Sequence, residues 1–337
     1  NTENVTTITS FVKANNGTIL GLDTLNTTNL TSLAYWDKGG FAMKTKIVNA
    51  GQANESVAWD VSNVTNFTYF MYSSSIGGDS YFPTNWKINT DAEAGVIFHR
   101  FGGYNGAGMN NMTDTEAFAT KTISASESPY GVEYTAWDMS NASDISYFLY
   151  SSGGGINMQD WNIASWQISN KLQNAYRMFA SKSHVVNADY SQDLGHWDIS
   201  GVTTGFDFIN WKWNGGVGCT FTTEDYDSIL EGWGAQTLAT STLTLNMGQS
   251  KHTSHGAAEA GRNALIAQGM TITDGGPWLK EFLYDGGDGE SSSSGACSLA
   301  ATETRGYFYG SGSYQAEGGE IYIANSRSAD NYLEDGY

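Results

Sequence analysis

Along residues 59–71 the apolar side chains fall at Trp59, Val61, Val64, Phe67, Phe70 and Met71, so that period two gives way to period three or four. Alternation predicts a short strand, and the wider spacing that follows predicts a helical turn or two. Ser62 and Asn63 stand at the switch, where a side-chain oxygen can cap the first free amides of a helix. Trp137, Met139, Ala142, Ile145, Phe148 and Leu149 repeat the arrangement, with Ser140 or Asn141 as the cap. Neither element can bury its apolar face alone, so folding requires that neighbouring units stack on one another.

The same phrase recurs along the chain. WDVSNVTNFTYFMYSSS begins at Trp59, WDMSNASDISYFLYSSG at Trp137 and WDISGVTTGFDFIN at Trp197. A looser copy with one extra residue, WQISNKLQNAYRMFAS, starts at Trp166, and NNMTDTEAFA at Asn110 lacks the tryptophan. TTNLTSLAYW at Thr27 is a degenerate first unit, and Trp86 in NWKIN keeps only the start of one. Spacings of this order belong to repeat arrays. Trp59, Trp137, Trp166 and Trp197 hold one repeat position and are expected to form a buried structural spine.

The closing part of the array reads differently. Thr222 followed by Glu224 and Asp225 opens a helix through Leu230, because a hydroxyl cap and early carboxylates suit the positive end of a helix. Leu243 and Leu245 alternate as a strand, a helix is predicted from about Ser254 to Gln268 with Gly269 as its stop, and Met270 and Ile272 make the last strand.

The W-D-[VIM]-S-[NG]-[VA]-[TS] phrase resembles the BspA-like leucine-rich-repeat surface proteins, and residues 226–276 look like the closing unit of that family. The resemblance implies an α/β repeat fold: an irregular leucine-rich-repeat-like solenoid with short parallel strands and short helices, used for adhesion or display rather than catalysis. Irregular repeat lengths and the weak stretch between Lys87 and Gly108 depart from a uniformly curved solenoid. The expected organisation is an N-terminal segment or cap over 1–24, the repeat solenoid over 25–276 with its closing cap at 222–276, a Gly/Ser linker over 277–295, and a small β-rich module over 296–337. DGGDGESSSSG at 285–295 has no apolar residue, as a linker requires. The C-terminal module is similar to small aromatic and glycine-rich modules of marine phage structural proteins and of some bacterial surface proteins.

Composition narrows the function classes. With 16 Lys+Arg against 35 Asp+Glu, the net charge of −19 excludes an electrostatic nucleic-acid binder, which needs clustered positive charge. No run of apolar residues is long enough to span a bilayer, so no membrane insertion is expected, and the first residues lack the basic and apolar regions of a signal peptide. Cys219 and Cys297 cannot make a dense disulfide framework. No GxSxG, P-loop or dinucleotide fingerprint occurs, so no catalytic residue is assigned and no enzyme is expected.

The remaining candidates are sites of binding. Trp211 and Trp213 in NWKWNGGVG lie outside the repeat phrase, and alternation puts both rings on one side, as sugar-binding faces require; core packing is the alternative. Tyr307 and Tyr309, with Phe308 and Tyr314, make either an exposed contact patch or the filling of a small module. His252 and His255 in HTSH lack the companions of a zinc site, and no cofactor is expected. Asp285, Asp288 and Glu290 are an alternative set of calcium ligands, without EF-hand spacing. The pairs Glu224 with Asp225 and Asp189 with Asp193 are common in so acidic a chain and do not by themselves make a glycosidase. Sequons at Asn63 and Asn141 coincide with the predicted caps and are read as structural.

These features predict a noncatalytic, extracellular protein of a virion or cell surface, held in a homo- or hetero-oligomeric assembly. Its expected partners are virion or cell-envelope proteins and a surface glycan, bound through many modest contacts multiplied by copy number. Phage attachment or decoration is the leading setting. A bacterial adhesin, an architectural filament or capsid subunit, and an extracellular polysaccharide-degrading enzyme are the alternatives.

Overall fold

A computed structural model describes residues 4–8, 26–35, 47–48, 56–57, 60–70, 85–101, 118–128, 130–148, 162–178, 189–190, 192–207, 220–254, 256–278, 313–316 and 319–322. The chain divides into two compact units, residues 1–276 and 277–337.

Asx turns set the local structure of the first unit. In the copy that starts at Trp59, Asp60 Oδ1 accepts hydrogen bonds from the Ser62 amide at 2.9 Å and the Ser62 hydroxyl at 2.7 Å. Asp138 does the same to the Ser140 amide and Asp198 to the Ser200 amide and hydroxyl. Each carboxylate folds the chain into a turn, closed by Val64 N to Val61 O, Ala142 N to Met139 O and Val202 N to Ile199 O. An aspartate that bonds its own downstream backbone competes with strand pairing. The strand expected at W-D-x-S is therefore displaced to the residues after the turn.

Those displaced residues form a parallel ladder. Bridges run from Thr7 to Ser32, Ser32 to Asn66 and Asn66 to Ile97. Strand β3 (Val96–Ile97) then pairs in parallel with β6 (Ala142–Asp144), and bridges continue from Asp144 to Asn174 and from Asn174 to Thr204. Just beyond Thr204, β8 (Phe206–Asp207) pairs in parallel with β10 (Thr244–Asn246), and β10 with β12 (Thr271–Thr273). The weak stretch after Lys87 thus contributes a rung of its own at Ile97.

A second turn follows the rungs at Ser32, Asn66, Ile97, Asp144 and Asn174, where a helix was expected. The side chains of Ser32, Asn66, Asp144 and Asn174 accept from the amides of Ala34, Thr68, Ser146 and Tyr176. Single turns then close from Phe70 N to Phe67 O, Phe101 N to Phe98 O, Phe148 N to Ile145 O and Met178 N to Ala175 O. The apolar period is consequently three, one inward residue per side of the unit: Val61, Val64, Phe67 and Phe70, or Met139, Ala142, Ile145 and Phe148, all fully buried.

Stacking of like residues fills the interior. Phe67 lies on Phe98 with centroids 5.1 Å apart and planes 3° apart, and Phe101 on Phe148 at 5.0 Å and 7°. Trp86 stacks on Trp137 at 6.1 Å and Trp166 on Trp197 at 6.2 Å. Trp137, Trp166 and Trp197 are fully buried, and Trp59 lies outside the described residues. Asn63 and Asn141 do not cap helices. Asn63 Nδ2 donates to Thr28 O in the preceding unit, and Asn141, 2% exposed, donates to Asn89 O and Ala92 O.

Insertions sit between rungs. The pairs β1 (Ile47–Val48) with β2 (Ser56–Val57) and β4 (Lys121–Ile123) with β5 (Tyr134–Ala136) are antiparallel, and β7 (Asp189–Tyr190) pairs in parallel with β9 (Thr220–Phe221). Two helices follow, α1 (Thr223–Gly234) and α2 (Gly256–Ala267), with β11 (His252–Thr253) between β10 and α2. Thr222 caps α1 by accepting from the Asp225 amide, and its hydroxyl donates to Asp225 Oδ2. The helices approach closely because glycines face each other: a Cβ on Gly261 would collide with the Leu230 carbonyl. Gly269, at φ +95°, turns the chain out of α2 toward β12.

In the second unit, β13 (Pro277–Trp278) is followed by β14 (Ser313–Ala316) and β15 (Gly319–Tyr322), the last two forming an antiparallel pair.

Candidate binding surface

One position of the repeat is chemically unusual. Tyr35, Tyr69, Arg100, Tyr147 and Arg177 all have positive φ, between 51° and 58°. Each is the third residue after its rung, in SLAYW, NFTYF, IFHRF, DISYF and NAYRM. A side chain in this left-handed region costs roughly 1–2 kcal/mol relative to the right-handed one, and glycine would avoid the cost.

The ladder dictates the conformation. Hydrogen bonding continues past each rung: Tyr35 N donates to Thr68 O, Tyr69 N to His99 O, Arg100 N to Ser146 O and Tyr147 N to Tyr176 O, at 2.7 to 3.0 Å. The chain must both keep these bonds and turn the next apolar residue, Phe70, Phe101, Phe148 or Met178, back into the core. A left-handed residue accomplishes both in one step.

In-register stacking at the spacing of neighbouring strands then brings the side chains into contact. Tyr35 and Tyr69 stack with centroids 4.8 Å apart. The Arg100 guanidinium lies 5.3 Å from the Tyr69 centroid and 4.6 Å from that of Tyr147. Tyr147 meets Tyr176 edge-on at 5.7 Å, and Arg177 lies over Tyr176 at 5.0 Å. Such contacts contribute about 0.5–1 kcal/mol each at exposed sites. The row is part-exposed, with Tyr35 the most open.

His99 sits within the row, edge-on to Tyr69 and Tyr147, with Nδ1 2.7 Å from the Ser146 hydroxyl. Burial lowers its pKa below the ordinary histidine value; Asp144 opposes that shift and Arg100 adds to it. The imidazole is neutral at neutral pH. The row gathers phenol and guanidinium groups on an otherwise acidic chain.

Comparison with protein-family models, with curated proteins and with solved structures finds no match.

The residues singled out in the sequence are distributed otherwise. Trp211, Trp213, Tyr307 and Tyr309 lie outside the described residues, as do Phe308, Cys219, Cys297, His255, Asp285, Asp288 and Glu290, and of Tyr314 only the backbone in β14 is described. Asp193 accepts from the Gly195 amide in a turn, and Glu224 and Asp225 occupy the first turn of α1. His252 is 1% exposed, with Nε2 2.5 Å from Glu259 Oε2. Beside it Asp274 accepts from Arg262 Nε at 2.9 Å and the Tyr226 hydroxyl at 2.8 Å. Burial alone would raise the Asp274 pKa, but the bonds from Arg262 and Tyr226 outweigh it and hold the carboxyl below its usual range. This network ties α1 and α2 to the end of β12, with His252 and Tyr226 buried and Arg262 and Glu259 part-exposed.

Among the described residues no group of three or more His, Cys, Asp or Glu side chains is arranged to hold a metal ion. No described helix is long and apolar enough to cross a membrane. The Tyr/Arg row was not among the sequence candidates, although the recurring [YR] in x-φ-x-[YR]-φ, where φ denotes an apolar residue, is its signature. Its meaning depends on knowing that the residue three positions earlier is a rung of the ladder.

Proposed function

We propose that this chain is a noncatalytic recognition protein, built as an irregular leucine-rich-repeat-like solenoid of the kind the BspA-like resemblance implies. It works at the surface of a virion or cell, and the Tyr/Arg row is its contact surface for a glycan or partner subunit. The observation that carries this reading is the retention of five long polar side chains, rather than glycine, at positions where each strains the backbone. Strain of this kind collects where a side chain has a task besides folding. A row of modest contacts also suits a protein displayed in many copies, because avidity multiplies weak sites.

The test uses a variant with Tyr69, Arg100, Tyr147 and Arg177 all replaced by glycine. Particles or cells carrying the parent chain are expected to attach to their natural surface, and those carrying the folded variant to lose attachment. Unchanged attachment by the variant would overturn the assignment of the row. Release of new reducing ends from a polysaccharide panel would overturn the noncatalytic reading.

A further inference from the structure

We propose that this chain assembles head to tail, the rung at Thr7 of one copy adding in parallel to the free edge of β12 in another, so that the ladder runs on from copy to copy. The inference goes beyond the recognition role and does not depend on the Tyr/Arg row.

The backbone at the two ends of the ladder is the first support. At one end Ser32 N donates to Thr6 O and Ile8 N donates to Ser32 O. Thr6 C=O and Ile8 N–H thus face the second rung, and alternation along the strand turns the N–H and C=O of Thr7 the other way. At the opposite end Thr271 N donates to Leu243 O, and Thr273 O accepts from Met247 N. That arrangement turns the N–H and C=O of Ile272 away from β10. Among the described residues Thr7 pairs only with Ser32, and β12 only with β10. A sheet edge with unpaired donors and acceptors is a template for a further strand.

Direction is the second. The rungs from Thr7 to Thr204, and the strands β8, β10 and β12, all pair in parallel. A copy displaced along the ladder presents its Thr7 rung to β12 in that same direction, so the contact between copies repeats the one each unit makes with the next. The two surfaces joined are different, which leaves a free end of each kind after every addition. Contacts of this sort build open chains of subunits rather than closed dimers.

Side-chain character is the third. Thr7, Thr271 and Thr273 are exposed, whereas Val5, Ile8 and Ile272 pack against the core at their respective ends. Neither residues 5–8 nor residues 270–273 include a charged side chain, and Asp274 is paired with Arg262. The net charge of −19 makes copies repel at long range, but screening removes that beyond about 8–10 Å at physiological ionic strength. The end strands themselves bring no like charges together.

Sedimentation velocity of the full chain at physiological ionic strength, over a wide range of concentration, tests the proposal. The parent is expected to give a series of species whose mass rises with concentration, and amide exchange at Thr7 and Ile272 should slow in step. Thr7→Pro and Ile272→Pro each remove one free donor and no hydrogen bond made within the described fold. Each variant alone is expected to lose assembly. Their mixture should form a dimer and nothing larger, because Thr7→Pro keeps a working β12 edge and Ile272→Pro a working first rung. A parent that stays monomeric at every concentration overturns the proposal, as does a mixture of the two folded variants that yields no dimer. Assembly that survives Thr7→Pro but not Ile272→Pro would indicate β12 pairing with β12 across a twofold axis, and overturns the head-to-tail contact. If Ile272→Pro fails to fold, exchange at Ile272 in the parent decides, and exchange independent of concentration overturns the proposal. None of these outcomes touches the Tyr/Arg row, so the recognition role stands or falls by its own test.

Discussion

Trp166 and Trp197 stack with ring centroids 6.2 Å apart and planes 11° apart, each fully buried, although thirty residues separate them in the chain. Their indole nitrogens are treated differently. Trp166 Nε1 donates to Phe118 O at 2.7 Å, whereas Trp197 Nε1 is buried with no hydrogen-bond partner among the described residues. Trp166→Phe, which removes this buried hydrogen bond, should therefore destabilise by about 1 kcal/mol more than Trp197→Phe. Urea unfolding of the two variants measures the difference, and equal midpoints would contradict it.

Glycine at a strained position separates folding from binding. Arg177→Gly removes a left-handed side chain, at φ +53°, from the part-exposed row. Relief of roughly 1–2 kcal/mol of strain offsets the lost contact with Tyr176 and the extra freedom of the unfolded chain. The thermal midpoint is expected to stay within a few degrees of the parent, while attachment falls.

Acid should loosen the middle of the ladder through His99. Its pKa is lowered in the folded chain, so the unfolded chain binds the proton more readily. Stability from this group is present above the unfolded value of 6.5 and is lost as pH falls from there through the folded value. His99→Gln should flatten the dependence of unfolding free energy on pH across that window. An unchanged slope would remove His99 as its source.

The α1–α2 region is vulnerable at two points. Asp274→Asn leaves Arg262 and Tyr226 without their carboxylate and should cost about 3 kcal/mol or more, as breaking a buried pair does. Gly261→Ala forces a methyl group into the Leu230 carbonyl and should cost about 1–3 kcal/mol by overpacking α1 against α2. Urea denaturation of each variant, followed by tryptophan fluorescence, checks both.

Glycan mapping distinguishes the sequons. Asn141 is 2% exposed, and its amide is bonded to Asn89 O, Ala92 O and Lys171 Nζ, so no glycan is expected there on the folded chain. Asn63 is exposed, but its amide is engaged with Thr28 O. Occupancy at Asn141 would contradict this packing.

Residue order alone carries the repeat, the burial of Trp137, Trp166 and Trp197, and the hydroxyl cap of α1, because these follow from side-chain class and short-range spacing. The position of the strands does not. Within one unit, an aspartate such as Asp60 or Asp138 is compatible by residue type with a strand start or with a bend onto its own downstream amides, and the structure has the bend. The aspartate's own turn makes the bend, and hydrogen bonds to the adjoining unit then place the rung at Asn66 or Asp144. The Tyr/Arg row has the same origin: its backbone strain and ring contacts exist only when units lie side by side, so a single unit read by itself gives no sign of them.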